Sequence, residues 1–157
     1  MKKVLFICLG NICRSPAAEG VFAHLVNEAG LNDKFTIDSA GTSAAHEGEP
    51  ADARMIAHAS RRGIKLPSIS RRFNAEKDFE NFDHILVMDN SNYKGILSRD
   101  SEGRFIHKVQ MFTDYAVNMK FKEVPDPYYG GAEGFERVLD IVTDASKGLL
   151  EELKKEL

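Results

Sequence analysis

The feature that most constrains the fold is an apolar run near the start of the chain, residues 3–8, which ends abruptly at Gly10 and Asn11. A near-continuous run of branched apolar residues is typical of a strand that is buried on both faces, as in a parallel sheet. Ser15 and Pro16 follow, and we expect them to begin a helix as N-cap and first helical residue. The chain therefore opens with a predicted strand, a tight turn and a helix.

Strand and helix patterns alternate along the rest of the chain. Further strands are predicted at 35–39, 83–89 and 104–109, and further helices at 51–62, 90–99 and 135–153. This alternation favours an α/β fold in which helices cover both faces of a parallel sheet. Ligands of such sheets bind beyond the carboxyl ends of the strands, where the strand order reverses, and Cys8 lies at one such end. The Pro- and Gly-rich stretch 111–134 is interpreted as a long loop, and loops of that length are often functional.

The length and charge of the chain limit its size and its partners. The 157 residues correspond to one domain, and we expect a single domain over 1–157, a monomer or a weak dimer. The 21 basic and 24 acidic residues leave a net charge of −3. That balance provides no general attraction to nucleic acid or to an anionic membrane, so neither is expected as a partner and any phosphate recognition must be local.

Cysteine and histidine usage argues against a stabilising metal or disulfide framework. The chain has two cysteines, Cys8 and Cys13, too few for such a framework, and five widely spaced histidines without a local metal-ligand motif. We therefore expect no metal site and a reducing compartment. The N-terminal apolar run is too short for a signal peptide, and no stretch approaches a membrane span. These observations predict a cytoplasmic location, although export by a signal-free route would leave no trace.

The turn after the first predicted strand has the richest chemistry. It places Cys8, five intervening residues and Arg14 between a buried strand and a helix N-terminus. Backbone N–H groups in such a turn converge on one point, with the positive end of the helix dipole behind them, and suit a tetrahedral dianion. They and Arg14 favour the thiolate form of Cys8, and the planar guanidinium suits two phosphate oxygens. A Walker loop is excluded because its Gly-Lys-Ser/Thr ending is missing.

Attack on a phosphoester leaves the departing oxygen in need of a proton, and Asp126 is the best candidate donor. Pro125 and Pro127 stiffen the backbone around it, and Tyr128 and Tyr129 follow directly. An aspartate between prolines is often only a turn residue, so this interpretation depends on the thiol-bearing turn. The tyrosines are either a loop-packing pair or the walls of a slot for a flat aromatic leaving group.

Together these motifs resemble those of the low molecular weight protein tyrosine phosphatases. The resemblance spans nearly the whole chain and rests on Val4–Pro16, Asp126–Gly130 and Phe82–Asp89, with Asp38, Ser39, Gly48, Asp52 and Arg54 between them. It implies a three-layer α/β/α fold of flavodoxin-like type around a central four-stranded parallel sheet. It also implies a two-step phosphatase that needs no cofactor and acts on phosphotyrosine proteins or peptides and small aryl phosphates, with inorganic phosphate as a loop ligand.

Carried over by position, the resemblance implies that Cys8 is the nucleophile and that Arg14 clamps the phosphate and the transition state. Asp126 would be the general acid of the first step and the general base of the second. The further residues implied to bind phosphate or substrate are Leu9, Gly10, Asn11, Ile12, Cys13, Ser15, Tyr128 and Tyr129.

The resemblance also implies supporting roles. Ser15 would hydrogen-bond the nucleophilic sulfur and ease its departure, and Asn11 would hold the strained loop through Ser39. Cys13 matches a second thiol that traps the oxidised nucleophile as a reversible disulfide. Asp89 would support the site from below, and a plain strand-end cap is an alternative for this residue.

The chain departs from the family pattern in two places. Ala45 and His46 stand where many relatives have an aromatic residue in the pocket wall, so we expect a more open wall that affects substrate preference. A basic segment that is often rich in histidine is replaced by Ser68–Arg72. Arg71 and Arg72 are interpreted as a solvated charged face.

Three alternatives share parts of this pattern. A thioredoxin-coupled arsenate reductase needs further cysteines to relay the disulfide, and none follows Cys13. A protein-arginine phosphatase tends to have threonine at the position of Ile12 and fewer aromatic residues in its acid loop. A catalytically dead phosphopeptide-binding module would be expected to lack Cys8 or Asp126. The prediction is therefore a protein tyrosine phosphatase with a cysteinyl-phosphate intermediate.

Overall fold

The apolar run 3–8 forms an inner strand of a parallel sheet. A computed structural model describes residues 1–128 and 130–157 of the chain. The strands are β1 (Lys2–Cys8), β2 (Phe35–Gly41), β3 (His84–Val87) and β4 (Val109–Met111). The helices are α1 (Arg14–Glu28), α2 (Ala53–Ser60), α3 (Asp78–Asn81), α4 (Asn90–Leu97) and α5 (Ala132–Lys154), with short 3-10 turns at Asn32–Lys34, Ile106–Lys108 and Phe112–Tyr115.

The sheet has the strand order β2-β1-β3-β4, and its neighbouring strands are parallel. Side chains of β1 alternate between two apolar layers. Val4 and Phe6 pack with α1 and α5, whereas Leu5 and Ile7 pack with a second cluster that includes Ile96 of α4. The predicted three-layer α/β/α fold with a central four-stranded parallel sheet is confirmed. Burial on both faces explains why β1 is a continuous apolar run.

The start of α1 differs from the prediction. The helix begins at Arg14 with Cys13 as its N-cap, so the prediction of Ser15 as N-cap is wrong. The Ser15 hydroxyl lies within hydrogen-bonding distance of the Cys8 sulfur and of the Asn11 amide rather than capping backbone N–H groups. A local pattern of Ser followed by Pro could not reveal these tertiary partners.

The fourth strand also lies elsewhere than predicted. Residues 104–109 contain a 3-10 turn, and β4 starts only at Val109. The Asp100 carboxylate accepts hydrogen bonds from the backbone N–H groups of Arg104 and Phe105 and so removes two donors that a strand ladder would need. The four-residue helix α3 was not predicted from the sequence, since it is too short to show a helical period.

None of the helices within residues 1–128 and 130–157 is both long and apolar enough to cross a lipid bilayer.

Candidate active site

The site lies where the strand order of the sheet reverses. The chain passes from β1 to β2 on one side and then returns to β3 on the other side, which opens a crevice at the carboxyl ends of β1 and β3. Cys8 ends β1, and Asp89 follows β3. Two residues that are far apart in sequence are thereby brought to the same edge of the sheet.

The turn 8–15, called the phosphate loop below, presents its backbone N–H groups to the inside. Its carbonyls accept hydrogen bonds from the surrounding framework: Cys8 from the N–H of Thr42 (2.9 Å), Leu9 from the N–H of Ser43 (2.9 Å), Gly10 from the hydroxyl of Ser70 (2.9 Å) and Ile12 from the N–H of Asp52 (2.7 Å). In a trans peptide the C=O and the following N–H point in opposite directions. The N–H groups that face inward are therefore those of Leu9, Gly10, Asn11 and Cys13.

Asn11 holds the loop in a strained shape. Its φ of +57° lies in the left-handed region, which only a few non-glycine residues adopt. The buried side-chain amide donates to Ser15 Oγ (2.8 Å) and Ser39 Oγ (2.9 Å), and its oxygen accepts from the N–H of Arg71 (3.0 Å). Because Ser15 Oγ accepts from Asn11, its own proton is available to Cys8 Sγ, 3.0 Å away. The expected contacts of Asn11 with Ser39 and of Ser15 with Cys8 are thus present.

Arg14 is buried behind the loop and is held by the carboxyl end of β3. Its Nη1 donates to Asp89 Oδ2 (2.6 Å) and to the carbonyl of Val124 (3.1 Å), and its side chain is 3% exposed. Burial alone would lower the pKa of Arg14, but the Cys8 sulfur and the Asp89 carboxylate outweigh it and leave that pKa above its usual value. The guanidinium therefore remains a fixed positive charge at the base of the pocket.

Asp89 combines the two roles that the sequence left as alternatives. Its Oδ1 accepts from the N–H of Asn92 (2.7 Å) and caps α4, while its Oδ2 binds Arg14. The Asn92 side chain accepts from the Asp89 N–H in return, which completes a capping box. The carboxylate that orients Arg14 is therefore itself fixed by a helix start.

Asp126 stands over the phosphate loop at the pocket mouth. Its Oδ2 lies 3.7 Å from Arg14 Nη2, and its Oδ1 accepts from the N–H of Tyr128 (3.0 Å). The side chain is 44% exposed, so it is accessible to solvent and to a substrate. Tyr129, the other predicted aromatic wall, lies outside the described residues.

These groups surround one pocket of about 170 Å³. Its lining residues are Cys8, Leu9, Gly10, Ile12, Cys13, Arg14, Ser43, Ala45, His46, Asp126 and Tyr128. The rings of His46 and Tyr128 are 6.1 Å apart, so they form an aromatic wall in spite of the small residue at Ala45.

Burial, with further contributions from Asp52 and Cys8, raises the pKa of Cys13 far above its usual value. Cys13 is consequently a neutral thiol beside Cys8.

Three supporting side chains were not identified from the sequence. Arg71 pairs with Asp78 (2.9 Å) and Asp38 (3.1 Å), so the prediction that it belongs to a solvated face is wrong. Its backbone N–H holds Asn11, and the Ser70 hydroxyl holds Gly10. Nothing in the local sequence distinguishes these two residues from an exposed polar segment.

Glu19 is the third such residue and lies one turn into α1. Its Oε1 accepts a short hydrogen bond of 2.5 Å from Ser39 Oγ, the same hydroxyl that accepts from Asn11. Burial raises the pKa of Glu19, an effect that the Ser39 hydrogen bond partly offsets. Glu19 therefore orients Ser39 behind the phosphate loop.

The switch-point crevice, the inward N–H groups and the buried Arg14 define a class of protein: an α/β protein that binds a tetrahedral oxyanion against a cysteine. One family of this class is the low molecular weight phosphotyrosine protein phosphatases, and the model of that family matches residues 3–157 of the chain. The chain belongs to that family.

Individual relatives match over almost their whole length. A low molecular weight phosphotyrosine protein phosphatase of Schizosaccharomyces pombe is 43% identical over 152 residues, which cover 96% of each chain. A crystal structure of a protein tyrosine phosphatase from Entamoeba histolytica, with Hepes in the active site, superposes with a TM-score of 0.95 at 46% identity, covering 99% of both chains. The structure of a Drosophila arginine phosphatase superposes with a TM-score of 0.89 at 32% identity, covering 98% of both chains.

Proposed function

We propose that this protein is a phosphotyrosine phosphatase in which Cys8 attacks phosphorus and forms a cysteinyl-phosphate intermediate. The observation that carries the proposal is the common pocket in which Cys8, Arg14 and Asp126 meet over inward-facing N–H groups. Phosphotyrosine proteins or peptides and small aryl phosphates are the substrates, and inorganic phosphate is the product that occupies the loop.

In the first step, the phosphate loop and Arg14 hold the phosphoryl oxygens while the Cys8 thiolate attacks in line. The S–P bond forms and the bond from phosphorus to the phenolic oxygen breaks. Charge that develops on the oxygens meets preorganised donors, which is a large source of rate acceleration. Asp126, protonated at this stage, gives its proton to the departing phenolate oxygen.

In the second step, a water molecule attacks phosphorus and the S–P bond breaks. Asp126, now a carboxylate, takes a proton from that water. The Ser15 hydroxyl lies 3.0 Å from Cys8 Sγ and stabilises the sulfur as it leaves as a thiolate. Phosphate is then released, and the sulfur and Asp126 return to their starting states.

Two features favour an aromatic substrate over phosphoarginine. Tyr128 and His46 provide a ring-lined wall beside the loop, and Ile12 stands at the position where the arginine phosphatases tend to have threonine. An arsenate reductase is disfavoured because the chain has no cysteine after Cys13. The family relatives named as tyrosine phosphatases point the same way. The monomeric or weakly dimeric state and the cytoplasmic location remain predictions.

Asp126→Ala tests the proposal directly. Without a proton donor, kcat/KM for a phosphotyrosine peptide should fall about 10²–10³-fold, since its phenolate leaving group has a pKa of about 10. An activated nitrophenyl phosphate leaves without assistance and should lose far less. Initial rates on both substrates at several pH values provide the measurement. An equal loss on both substrates would show that Asp126 does not act as the acid.

Oxidation should inactivate the enzyme reversibly. Peroxide converts the Cys8 thiolate to a sulfenic acid, and the Cys13 sulfur then displaces water to form a disulfide. Activity should return on addition of dithiothreitol, and intact-mass spectrometry should show the loss of the two thiol hydrogens. Cys13→Ala is the control: its Cys8 sulfenic acid has no second cysteine in the chain to form a disulfide with, so further peroxide should oxidise it to the irreversible sulfinic and sulfonic acids. Detection of only sulfinic or sulfonic acid in the wild-type protein would contradict this prediction.

A further inference from the structure

The acid loop, residues 124–128, is anchored on both sides of Asp126, and the two anchors differ. On the N-terminal side, the N–H of Val124 donates to the carbonyl of Met88 (2.7 Å), and the Val124 carbonyl accepts from Arg14. On the C-terminal side, the carbonyl of Tyr128 accepts a hydrogen bond of 3.0 Å from Arg54 Nη2. The first anchor belongs to the site already described, whereas the second comes from α2.

We propose that the Asp52–Arg54 ion pair is a positioning device that sets Asp126 at a fixed place over the phosphate loop. The proposal rests on the proposed function, because it assigns Arg54 to the geometry of the general acid. Arg54 acts through Tyr128 and does not touch the reacting atoms, so it is a positioning residue rather than a catalytic one.

Asp52 connects this pair to the phosphate loop. Its backbone N–H donates to the carbonyl of Ile12 (2.7 Å), so it holds one of the outward-facing loop carbonyls. Its carboxylate caps α2 through the N–H of Arg54 (2.8 Å) and also binds the Arg54 guanidinium at 3.2 Å and 3.0 Å. Asp52 is thus attached at once to the loop that carries the nucleophile and to the arginine that reaches the acid loop.

Arg54 carries the connection across to the acid loop. Besides the bond to the Tyr128 carbonyl, its guanidinium lies 5.5 Å from the centre of the Tyr128 ring and 4.8 Å from that of Phe135 in α5. Both distances fall within the range of cation–π attraction. The N–H of Tyr128 in turn binds Asp126 Oδ1 (3.0 Å). One residue therefore separates the Arg54 contact from the acid.

The charges of the pair persist at neutral pH. The hydrogen bond to Asp52 raises the pKa of Arg54. Partial burial opposes ionisation of Asp52, but the hydrogen bonds from Arg54 outweigh it and hold the pKa of that carboxyl below its usual value. The Arg54 side chain is 49% exposed, and exposed ion pairs contribute little to folding stability. A role in positioning will therefore appear in the kinetics while the fold remains intact.

The matched variants are Arg54→Gln, Arg54→Lys and Arg62→Gln. Glutamine removes the charge, and lysine keeps the charge but loses the planar fork that reaches Asp52 and the Tyr128 carbonyl together. Arg62 is a suitable control because its ion pairs join the end of α2 to Glu136 (2.7 Å) and Asp140 (2.8 Å) of α5 rather than to the described residues of the acid loop. Circular dichroism and thermal melting should show that all three variants fold.

The decisive readout is the ratio of kcat/KM for a phosphotyrosine peptide to that for a nitrophenyl phosphate. A defect in the pocket wall lowers kcat/KM for both substrates and leaves their ratio unchanged. A misplaced acid lowers kcat/KM mainly for the peptide, whose leaving group needs the proton, and so lowers the ratio. We expect Arg54→Gln to lower the ratio about tenfold and Arg54→Lys to lower it nearly as much. Arg62→Gln should leave it unchanged, and the inhibition constant of inorganic phosphate should stay within about twofold of wild type because the phosphate loop is intact.

A double-mutant cycle with Asp126→Ala separates positioning of the acid from other effects. In the Asp126→Ala background, Arg54→Gln should not lower the ratio further, since no acid remains to be misplaced. An unchanged ratio in Arg54→Gln, or a further fall in the double mutant, would overturn the positioning role while Cys8-dependent turnover remained. Absence of wild-type turnover, or turnover that survives Cys8→Ser, would instead refute the proposed function.

Discussion

Replacement of Cys8 by serine is expected to abolish turnover of aryl phosphates, with kcat/KM lowered by at least about 10⁴-fold. A serine hydroxyl at the same position stays protonated at neutral pH and cannot form the phosphoenzyme at a useful rate. The fold should be retained, because serine is close in size to the buried cysteine, which is 3% exposed.

Two measurements distinguish chemistry from binding in Cys8→Ser. Inorganic phosphate should still raise the melting temperature of the variant, since the inward N–H groups and Arg14 remain. Mass spectrometry after mixing with substrate should show no added phosphoryl group, whereas the rapidly quenched wild-type enzyme should show it. Substantial turnover by the folded variant would exclude Cys8 as the nucleophile.

Arg14→Lys is expected to lower kcat/KM by about 10²–10³-fold even though the charge is retained. The guanidinium binds Asp89 and the Val124 carbonyl through Nη1 while its Nη2 lies towards the pocket and Asp126. An ammonium group cannot reproduce this planar arrangement and hold two phosphoryl oxygens as well.

The control for Arg14→Lys is Arg62→Lys, which makes the same chemical change at a site paired with Glu136 and Asp140. It should retain full activity. Near-wild-type kcat/KM in Arg14→Lys would show that the charge alone is sufficient and that the fork geometry is unimportant. The phosphate inhibition constant should rise in Arg14→Lys, since the same group binds the product.

Local pattern predicted much of the fold because burial leaves a strong signal in a parallel sheet. The strand β1 is apolar throughout since its side chains alternate between two covered layers. The errors fall where a side chain takes a tertiary or turn partner. Ser15 binds near the nucleophile instead of capping α1, and Asp100 removes donors that the predicted fourth strand required.

For the site, too, residues that are close in sequence were predicted from local pattern, whereas contacts between distant residues were not. Cys8 and Arg14 lie in one turn, so their proximity is dictated by the chain itself. Asp126 lies over a hundred residues away, and its assignment depended on the chemistry of the thiol-bearing turn, which requires a proton donor, and on the resemblance to a family. Arg71 was misassigned because its partners Asp38 and Asp78 come from different elements and carry no signature in the local sequence.

The sequence by itself determined the strand–turn–helix unit that carries the thiol, the α/β class and the family. These depend on residues that are neighbours in sequence and on the spacing of apolar residues, which burial imposes. Only the tertiary structure decided that Asp89 both caps a helix and holds Arg14, that the backbone of Arg71 holds Asn11, and that Arg54 reaches the acid loop. The physical reason is that such hydrogen bonds and ion pairs join residues far apart along the chain. Their geometry exists only once the parallel sheet has brought its strand ends to one edge.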